Sequence, residues 1–474
     1  MDQDTTLNRA RKRLKSHGQD HLLAFWADLS DGERHGLLRQ IGALDLDQVD
    51  HWVARYVKGA ESAAVPASFE PVPCYRDGKG RVHDPKYLEA KKLGEKLIAE
   101  GRVGAFVVAG GQGTRLGFDG PKGSFPATPV KNKPLFQVFA ETILACSRRY
   151  GAVLPWYIMT SPLNHAQTVE TFRAQDYYGL DPAQVFLFQQ GTLPNFDFSG
   201  RILLADKDRI ACSPDGHGGS LRALHASGAL ADMAKRGVDY VTYWQVDNPM
   251  INIFDPLFIG LHAMDRSEMS SKALQKTGPM EKLGNFCLVD GKVTVIEYSD
   301  LPGELANRRN PDGSLVFEMG SIGIHVISRE FVERLNAHGF ALPLHKAVKR
   351  IPCVDASGQP CSPAEPNGVK LESFVFDAIP LAARAVVLET RREEEFAPIK
   401  NATGVDSAQS SREMMIERAT RWLEASGIRV PRTPQGRPDC TIEIAPRFAL
   451  CAEDVQANLH RVPALNPKGQ YYLD

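Results

Sequence analysis

A glycine-rich segment that also contains two cations is the strongest chemical signal in the chain. Residues 105–126 read AFVVAGGQGTRLGFDGPKGSFP, an apolar run followed at once by glycines, Arg115 and Lys122. Glycines lack a Cβ, so backbone N–H groups can approach phosphate oxygens closely there. Arginine adds a planar fork for an anion, and lysine adds a point charge. The segment therefore predicts a loop that binds an oligophosphate.

Two common phosphate loops do not fit this segment. A Walker loop has the pattern G-x-x-x-x-G-K-[ST], but Lys122 follows Pro121 instead of a glycine. A dinucleotide fingerprint has G-x-G-x-x-G, but counting from Gly111 and Gly113 places Leu116 at the third glycine. The spacing therefore argues against both a P-loop NTPase and an NAD-binding fingerprint.

The segment instead resembles the signature of the UTP-dependent sugar-1-phosphate uridylyltransferases, or UDP-sugar pyrophosphorylases, which is G-G-x-G-T-R-L-G followed by P-K-G. Further blocks are similar to the N-acetylglucosamine branch of that family and occur in the family's order. They are FQQGTLPNFDFSGRILL, SPDGHGGSLRAL, QVDNPMINIFDPLFIG, VIEYSD, EPNGVKLESFVFD and EEEFAPIKNA. Together they span about residues 105–402, which is well over half of the chain.

The resemblance implies a reaction in which a sugar 1-phosphate attacks the α-phosphorus of UTP in line and releases pyrophosphate. Neutralising charge and aligning the phosphates are nearly the whole task in such a transfer. Arg115 and Lys122 match the signature cations, which implies contact with the triphosphate. Lys370 in NGVKLE and Lys400 in APIKN match two further family lysines, and Lys400 is expected to hold the attacking phosphate.

Asp247 stands at the end of the apolar run VDYVTYWQVDN, where open α/β sheets bind ligands. The resemblance implies that Asp247 is the metal-binding acid of the family. A hard carboxylate oxygen suits Mg²⁺, which usually takes one or two carboxylates together with substrate phosphates. We therefore expect Mg²⁺, or another divalent cation such as Mn²⁺, as the cofactor.

Uracil recognition is also implied by the resemblance. Gln190 and the backbone at Gly110, Gly111 and Gly216 match the family positions that read the base. A side-chain amide offers both a donor and an acceptor for this purpose.

Sugar recognition departs from the family pattern. Gly284 and Glu297 match positions that contact sugar hydroxyls, but His217 stands where the acetylglucosamine enzymes typically have Asn in P-D-G-N-G-G. A second family Asn, near the acetamido group, is Ser321 in this chain. The glucose-handling branch typically has G-H-G-D, so GHGG combines His217 of one branch with Gly219 of the other. We expect His217 to contact the sugar or its phosphate, and the choice of sugar stays open.

The elements that must position these residues follow from the apolar pattern. From Val103 onward, short apolar runs alternate with amphipathic helices, which favours a parallel sheet flanked by helices. Between about 284 and 330 the pattern becomes more β-like and predicts an antiparallel insert. We therefore expect an α/β fold with a Rossmann-like, GT-A-like nucleotidyltransferase core and a mixed, mostly parallel sheet.

Three regions are predicted along the chain. Residues 1–100 form a helical N-terminal region, with a possible capping box of Ser30 and Glu33 and a linker over 58–83. Helices are predicted up to about Val57, and Asp84 followed by Pro85 opens a new helix. Residues 101–400 form the catalytic domain, and 401–474 form a C-terminal helix and a small β-containing tail.

Composition excludes several classes of protein. With 56 basic and 57 acidic residues among 474, the net charge is -1, so we expect neither nucleic acid nor a membrane surface as a partner. No apolar run approaches the roughly 20 residues of a membrane span, and the start of the chain lacks a signal-peptide pattern. The 8 scattered cysteines contain no C-x-x-C pair, which argues against a zinc site. We expect a cytoplasmic protein, whose oligomeric state the sequence leaves open.

Two hypotheses of function result. The first is a Mg²⁺-dependent uridylyltransferase that uses UTP and N-acetylglucosamine 1-phosphate, with glucose 1-phosphate, galactose 1-phosphate or a broad specificity as alternatives. The second, from another class, is a catalytically silent protein that binds a UDP-sugar. A catalytically silent protein would be expected to lack the cations or the metal-binding acid. This chain has all five of these residues, namely Arg115, Lys122, Asp247, Lys370 and Lys400. Turnover of an Arg115→Ala variant would distinguish the two.

Overall fold

The computed structural model describes residues 3–59, 66, 68–76 and 83–474. The chain divides into two compact units. Unit 1 comprises Met1–Val65, Gly191–Ser220 and Leu342–Val375, and unit 2 comprises Pro66–Gln190, Leu221–Ala341 and Phe376–Asp474. Most of the linker predicted over 58–83 lies outside the described residues. The three-region division at 1–100, 101–400 and 401–474 stays a prediction.

The α-helices and strands of the described residues are numbered in chain order. The helices are α1 (Gln3–Ser16), α2 (Asp31–Ala43), α3 (Leu46–Trp52), α4 (Pro85–Ala99), α5 (Leu135–Tyr150), α6 (His165–Ala174), α7 (Gly219–Ala226), α8 (Ala229–Arg236), α9 (Pro256–Met264), α10 (Gly303–Ala306), α11 (Arg329–Asn336), α12 (Arg392–Glu395), α13 (Ala408–Ala425) and α14 (Ala452–Ala457). The strands are β1 (Glu70–Pro71), β2 (Val103–Val108), β3 (Trp156–Thr160), β4 (Val185–Gln189), β5 (Thr192–Pro194), β6 (Phe196–Asp197), β7 (Leu204–Asp206), β8 (Arg209–Ile210), β9 (Cys212–Pro214), β10 (Tyr240–Gln245), β11 (Met269–Gln275), β12 (Asn285–Val289), β13 (Lys292–Ile296), β14 (Met319–Ser328), β15 (His345–Lys349), β16 (Cys353–Val354), β17 (Pro360–Cys361), β18 (Gly368–Glu372), β19 (Val387–Thr390), β20 (Thr441–Ile444) and β21 (Gln470–Leu473).

Unit 2 is built on a mixed sheet in the order β1-β12-β14-β10-β2-β3-β4. Strands β10, β2, β3 and β4 run parallel, and β4 forms one edge of the sheet. Strand β14 pairs antiparallel with β10 and β11, and β12 and β13 form an antiparallel hairpin. The predicted Rossmann-like core and its antiparallel insert are confirmed. Because β10, β2, β3 and β4 are parallel, their carboxyl ends lie along one edge.

The parallel strands are held by apolar packing on both faces. Strands β2, β3 and β10 are almost wholly buried, as their apolar sequences require in a sheet covered by helices. Helix α5 packs Phe139 edge-on against Trp156 and Trp244. Burying a large apolar side chain contributes about 1.5–3 kcal/mol, so this layer fixes the strand ends firmly.

Unit 1 contains helices α1 to α3 of the predicted helical N-terminal region, whereas α4 of that region belongs to unit 2. Helices α1 to α3 bury one apolar side against β5, β6 and β18, with Leu37, Ile41 and Phe196 in the shared core. The predicted capping box is confirmed: the Ser30 N–H donates to Glu33 Oε2 at 2.7 Å, and the Ser30 side chain accepts from the Glu33 N–H. Such a cap stabilises a helix by about 1 kcal/mol.

The segments that flank the sheet of unit 2 also follow the sequence pattern. Asp84 caps α4, and Pro85 occupies its first turn. Helix α13 occupies the predicted C-terminal helical segment, and the tail contributes the parallel pair β20–β21. No helix among the described residues combines the length and apolar composition needed to span a bilayer.

Candidate active site

The glycine-rich segment forms a compact loop after β2. The Lys122 N–H donates to the Gly111 carbonyl at 3.1 Å, and the Gly113 N–H donates to that of Gly120 at 2.9 Å. A short 3-10 turn at Thr114–Leu116 carries Arg115, whose side chain is exposed. Gly117 then adopts φ 68°, a left-handed conformation that favours glycine. The predicted loop is thus folded back on itself at the carboxyl end of a central strand.

A buried asparagine from the neighbouring strand end holds this loop. Asn164 Nδ2 donates to the carbonyls of Ala109 at 2.9 Å and Gly111 at 3.2 Å. Its Oδ1 accepts from the Ser161 N–H at 2.8 Å. Net contributions of about 1 kcal/mol per bond make Asn164 a substantial anchor for the loop.

Gly110 and Gln190 are neighbours, as their expected common role requires. The Gln190 N–H donates to the Thr160 carbonyl at 2.8 Å, which places the residue at the carboxyl end of β4. Its side-chain Oε1 lies where a Cβ on residue 110 would stand. Only glycine permits this approach without a shift. The structure brings these two predicted nucleotide-binding residues together within unit 2.

Lys122 and Asp247 also come together. Lys122 Nζ lies 3.5 Å from Asp247 Oδ2, with the two side chains 16% and 12% exposed. The aliphatic part of the Lys122 side chain passes Gly111. Its Cδ would lie 4.0 Å from a Cβ added at Gly111. A cation and a carboxylate from two strand ends therefore face each other beside the glycine-rich loop.

The segment that carries Lys400 runs beside Asp247. The Ile399 N–H donates to the Asp247 carbonyl at 2.8 Å. The Asn248 side chain donates through Nδ2 to the Glu395 carbonyl at 2.7 Å and accepts the Ala397 N–H at 3.1 Å. Lys400 is half-buried. Asp247 and Lys400 are thus carried by two segments that are hydrogen-bonded to each other.

The predicted sugar-contacting residues Gly284, Glu297 and Ser321 form a second group in unit 2. The Ser321 N–H donates to the Gly284 carbonyl at 2.7 Å, and Glu297 Oε1 would be 3.5 Å from a Cβ at Gly284. Strands β10 and β14 pair antiparallel up to Tyr243↔His325. Ser321 precedes His325 on β14, which brings this group toward the carboxyl end of β10, the end that carries Asp247.

Unit 1 carries the remaining predicted residues, Gly216, His217 and Lys370. Gly216 has φ 84°, and a Cβ there would collide with the backbone of Ser373. The Gly218 N–H donates to the Ser373 carbonyl at 2.8 Å, so the GHGG loop lies against the strand end after β18. Lys370 is half-buried on β18, opposite Ala347 of β15.

His217 is held in one protonation state. The Val375 N–H donates to His217 Nδ1 at 3.1 Å, so that nitrogen is an acceptor and the neutral ring carries its proton on Nε2. The ring stacks on Phe374, with centroids 5.2 Å apart, and Phe374 also stacks on His345. Burial, together with the nearby His345, lowers the pKa of His217 to about 4. The side chain is therefore a neutral hydrogen-bonding group at physiological pH.

The residues of unit 2 fit a magnesium ion that takes most of its ligands from phosphates and water. Asp247 offers a buried hard oxygen at a strand end, which suits Mg²⁺. Within the described part of the chain, no group of three or more His, Cys, Asp or Glu side chains forms an all-protein cage. A divalent ion would therefore need the nucleotide to complete its coordination.

Sequence reasoning missed three residues that hold the site, namely Asn164, Asn248 and Glu395. Asn248 adjoins Asp247 in QVDN, so the motif contained that signal, although it equally suggests a turn. Asn164 and Glu395 act through contacts with distant segments, and nothing in their spacing reports those contacts.

A glycine-rich loop, a partly buried lysine and a carboxylate at the carboxyl edge of the parallel strands define a nucleotide-binding α/β protein built to neutralise phosphates. Residues 66–466 match the family model described as UTP–glucose-1-phosphate uridylyltransferase, and the chain belongs to that family. The family resemblance of the signature motifs is thereby confirmed.

Individual relatives cover nearly the whole chain. The human protein named UDP-N-acetylhexosamine pyrophosphorylase-like protein 1 is 36% identical over 95% of this chain and 94% of its own. UDP-N-acetylglucosamine diphosphorylase 2 of Arabidopsis thaliana is 35% identical over 94% of this chain and 90% of its own. The crystal structure of the uridine diphosphate N-acetylglucosamine pyrophosphorylase from Trypanosoma brucei is similar with a TM-score of 0.82, at 25% identity, and covers 100% of this chain and 98% of that one.

Proposed function

We propose that this protein is a uridylyltransferase that converts UTP and N-acetylglucosamine 1-phosphate to UDP-N-acetylglucosamine and pyrophosphate. In that reaction an oxygen of the sugar phosphate forms a bond to the α-phosphorus of UTP. The bond from that phosphorus to the bridging oxygen breaks, and pyrophosphate leaves with the electron pair. The observation that carries the proposal is the pairing of Lys122 with Asp247 beside the glycine-rich loop.

The work of the nucleotide-binding residues is to position UTP and offset its charge. Backbone groups of Gly110 and Gly111 and the amide of Gln190 bind the base, and Arg115 and Lys122 bind the triphosphate. Lys122 is already held beside the loop by Asp247, so little reorganisation is needed when the nucleotide enters. A divalent ion at Asp247 would supply further positive charge to the phosphates.

The attacking phosphate is assigned to Lys400. Its segment is hydrogen-bonded to the backbone of Asp247, so the lysine and the acid keep a fixed separation. Holding two phosphates in line accounts for much of the acceleration in transfers of this kind. Lys370, Gly216 and His217 keep the roles that the family motifs give them, as part of this proposal.

The amino sugar is proposed from two supports. Relatives that cover at least 94% of this chain carry names that refer to N-acetylhexosamine or N-acetylglucosamine. Gly284, Glu297 and Ser321 also form one group, as a sugar-contacting set should. The neutral His217 would supply a hydrogen bond without adding charge, in the role that the family motif gives it.

The test is pyrophosphate release by the purified protein with UTP and Mg²⁺. N-acetylglucosamine 1-phosphate, N-acetylgalactosamine 1-phosphate, glucose 1-phosphate and galactose 1-phosphate are compared at equal concentration. We expect the acetamido sugars to be preferred by at least about tenfold in kcat/KM, equivalent to about 1.4 kcal/mol. Equal or better use of glucose 1-phosphate would overturn the amino-sugar assignment, and no release with any sugar would overturn the transferase itself.

A further inference from the structure

Helix α13 contacts both segments that carry the proposed catalytic residues. One segment, Asp247–Asn252, follows β10, and the other, Glu394–Lys400, includes the end of α12. Arg418 of α13 donates from the same Nη1 to the carbonyl of Met250 at 3.0 Å and to that of Glu394 at 3.0 Å. One guanidinium therefore bridges the two segments.

The bridge by Arg418 adds to the direct bonds between the segments. Those bonds are the one that the Ile399 N–H donates to the Asp247 carbonyl and the two made by the Asn248 side chain. In addition, the Asn252 N–H donates to Glu395 Oε1 at 3.2 Å. Arg418 differs from all of these because it comes from a third element, the C-terminal helix α13.

The arginine is itself well fixed. Its guanidinium carbon lies 5.0 Å from the centroid of the Trp422 ring, one turn further along α13. Trp422 in turn donates from Nε1 to Glu394 Oε2 at 2.9 Å. Burial lowers the pKa of Arg418 to about 10, against the raising effect of Glu394, so the group remains charged at neutral pH. Charge-assisted bonds of this kind are about twice as strong as neutral ones.

We propose that Arg418 is a positioning residue that holds the segments of Asp247 and Lys400 at the separation needed for phosphate transfer. The inference rests on the proposed function, since it assigns Asp247 and Lys400 to the two sides of the reaction. It gives helix α13, which the sequence motifs leave without a role, a part in the alignment of the attacking phosphate.

The chain offers a matched control on the same helix. Arg421 donates from Nε to Glu394 Oε1 at 3.0 Å and from Nη2 to the Glu393 carbonyl. These hydrogen bonds of Arg421 go to the second segment and to α12, whereas those of Arg418 go to both segments. Arg418→Met and Arg421→Met each remove one cation from the same helix, but only Arg418→Met removes the bridge between the two segments.

The experiment combines hydrogen exchange with steady-state kinetics on the full chain. For Arg418→Met we expect amide exchange at Ala397 and Ile399 to rise at least about tenfold. We also expect kcat to fall about tenfold and KM for the sugar phosphate to rise, while KM for UTP changes less than about threefold. Arg421→Met should leave exchange at both amides and all three constants within about twofold of wild type. Arg418→Lys, which keeps the charge but can reach fewer carbonyls, should lie between wild type and Arg418→Met.

Several outcomes would overturn the proposal. Unchanged exchange at Ala397 and Ile399 in Arg418→Met would do so, as would equal effects of the two methionine variants. A fall in kcat with both KM values and local exchange unchanged would mean a smaller folded fraction and no positioning role. If Arg418→Met does not fold, the same measurements are made on Arg418→Lys, and exchange at wild-type rates in that variant would overturn the proposal. Wild-type protein with no transferase activity would contradict the proposed function, whereas hydrogen exchange would still report on the bridge.

Discussion

Nζ of Lys122 lies 3.5 Å from Oδ2 of Asp247, although the two residues follow different strands of the sheet. The lysine comes from the loop after β2 and the acid from the end of β10, and the parallel pairing of those strands brings them together. The pair joins the residue assigned to the triphosphate with the residue assigned to the metal. Under the proposed function, this ion pair lies at the centre of the site for the anionic nucleotide and its divalent ion.

Replacing the acid should change the metal requirement. We expect Asp247→Asn to lower kcat at least about 100-fold, because the charge that would hold the divalent ion is lost. We also expect a higher Mg²⁺ concentration for half-maximal activity. The measurement is pyrophosphate release across a Mg²⁺ titration. Chelation with EDTA should abolish wild-type activity, and Mg²⁺ or Mn²⁺ should restore it.

The control for that variant is Asp239→Asn. Asp239 lies just before β10 and pairs with Arg102 at the opposite end of the same strand. It should alter activity less than about twofold, since its ion pair is partly exposed. An Asp247→Asn variant with a wild-type Mg²⁺ dependence would remove Asp247 from the metal site.

Alanine variants of the loop glycines should distinguish effects on folding from effects on nucleotide binding. Gly110→Ala introduces a Cβ at the position of Gln190 Oε1, so the amide must move. We expect KM for UTP to rise about tenfold or more. In Gly111→Ala the added Cβ lies 4.0 Å from Lys122 Cδ, which is an ordinary contact distance. The thermal midpoint of unfolding should therefore stay unchanged. Its KM for UTP should nevertheless rise, because the added methyl group occupies the space that a phosphate or base needs.

Differential scanning fluorimetry and UTP titrations check both glycine variants. An unchanged KM for UTP in Gly110→Ala would show that the Gln190 amide is not placed by contact with residue 110. An unchanged KM in Gly111→Ala would show that the nucleotide does not approach the backbone there.

The sequence predicted the loop, the parallel sheet and the motif residues, because these depend on local pattern. Glycines beside cations indicate a phosphate loop, and apolar runs such as that ending at Asp247 indicate buried strands. The same reasoning did not reach Lys272, which lies in the almost wholly buried strand β11 and is 1% exposed. A buried lysine depends on acids supplied by other elements, and single-sequence spacing does not report such partners.

The contacts that hold the site together were the least predictable part. Asn164 and Arg418 each bond to backbone carbonyls far away in the chain. Backbone carbonyls exist at every residue, so no pair of residue types marks such a bond in advance. The unpredicted part of the proposed site is therefore its support, whereas its expected contact residues come from motifs and stay predictions.

The buried lysine gives a stability prediction. Lys272 Nζ lies 2.7 Å from Asp255 Oδ2 and 2.6 Å from Glu395 Oε2. We expect Lys272→Met to lower the free energy of unfolding by about 3–5 kcal/mol, since the buried carboxylate of Glu395 and the partly buried carboxylate of Asp255 lose their cation. Lys96→Met, which removes an exposed pair with Glu100, should cost less than about 1 kcal/mol. Urea unfolding measures both.

The loss of unfolding free energy in Lys272→Met, called the deficit below, should depend on pH. Burial raises the pKa of Glu395, and Lys272 is the main group that opposes this effect. With the lysine removed, the folded state should bind a proton at Glu395 more tightly than the unfolded state does. Such a group stabilises the fold at low pH and loses that contribution as pH rises through its folded pKa. The deficit of Lys272→Met should therefore be smaller at pH 5 than at pH 8, and a larger deficit at pH 5 would contradict this explanation.

His217 should affect the pH dependence of stability in the opposite direction to Glu395 in the Lys272→Met variant. Burial and the adjacent His345 lower its pKa to about 4, so the unfolded state binds its proton first as pH falls. Its contribution to stability is complete above about pH 6.5 and declines toward pH 4. Between pH 7.5 and 5 the loss amounts to about 2 kcal/mol. We expect His217→Asn to unfold with less acid sensitivity by about that amount, while the exposed His225→Asn behaves as wild type. Equal acid sensitivity of His217→Asn and wild type would show that His217 titrates normally.

The fate of the phosphorus atoms of UTP tests the transferase most directly. Purified protein, Mg²⁺ and N-acetylglucosamine 1-phosphate are incubated with UTP labelled at either the α- or the γ-phosphate, and the products are separated. Attack at the α-phosphorus predicts that the α label enters UDP-N-acetylglucosamine and the γ label enters pyrophosphate. Both transfers should fall at least about 100-fold in Lys122→Met, which removes the cation facing Asp247. Label that stays in UTP while the nucleotide binds would contradict the transferase and would identify the protein as a nucleotide-binding protein without turnover.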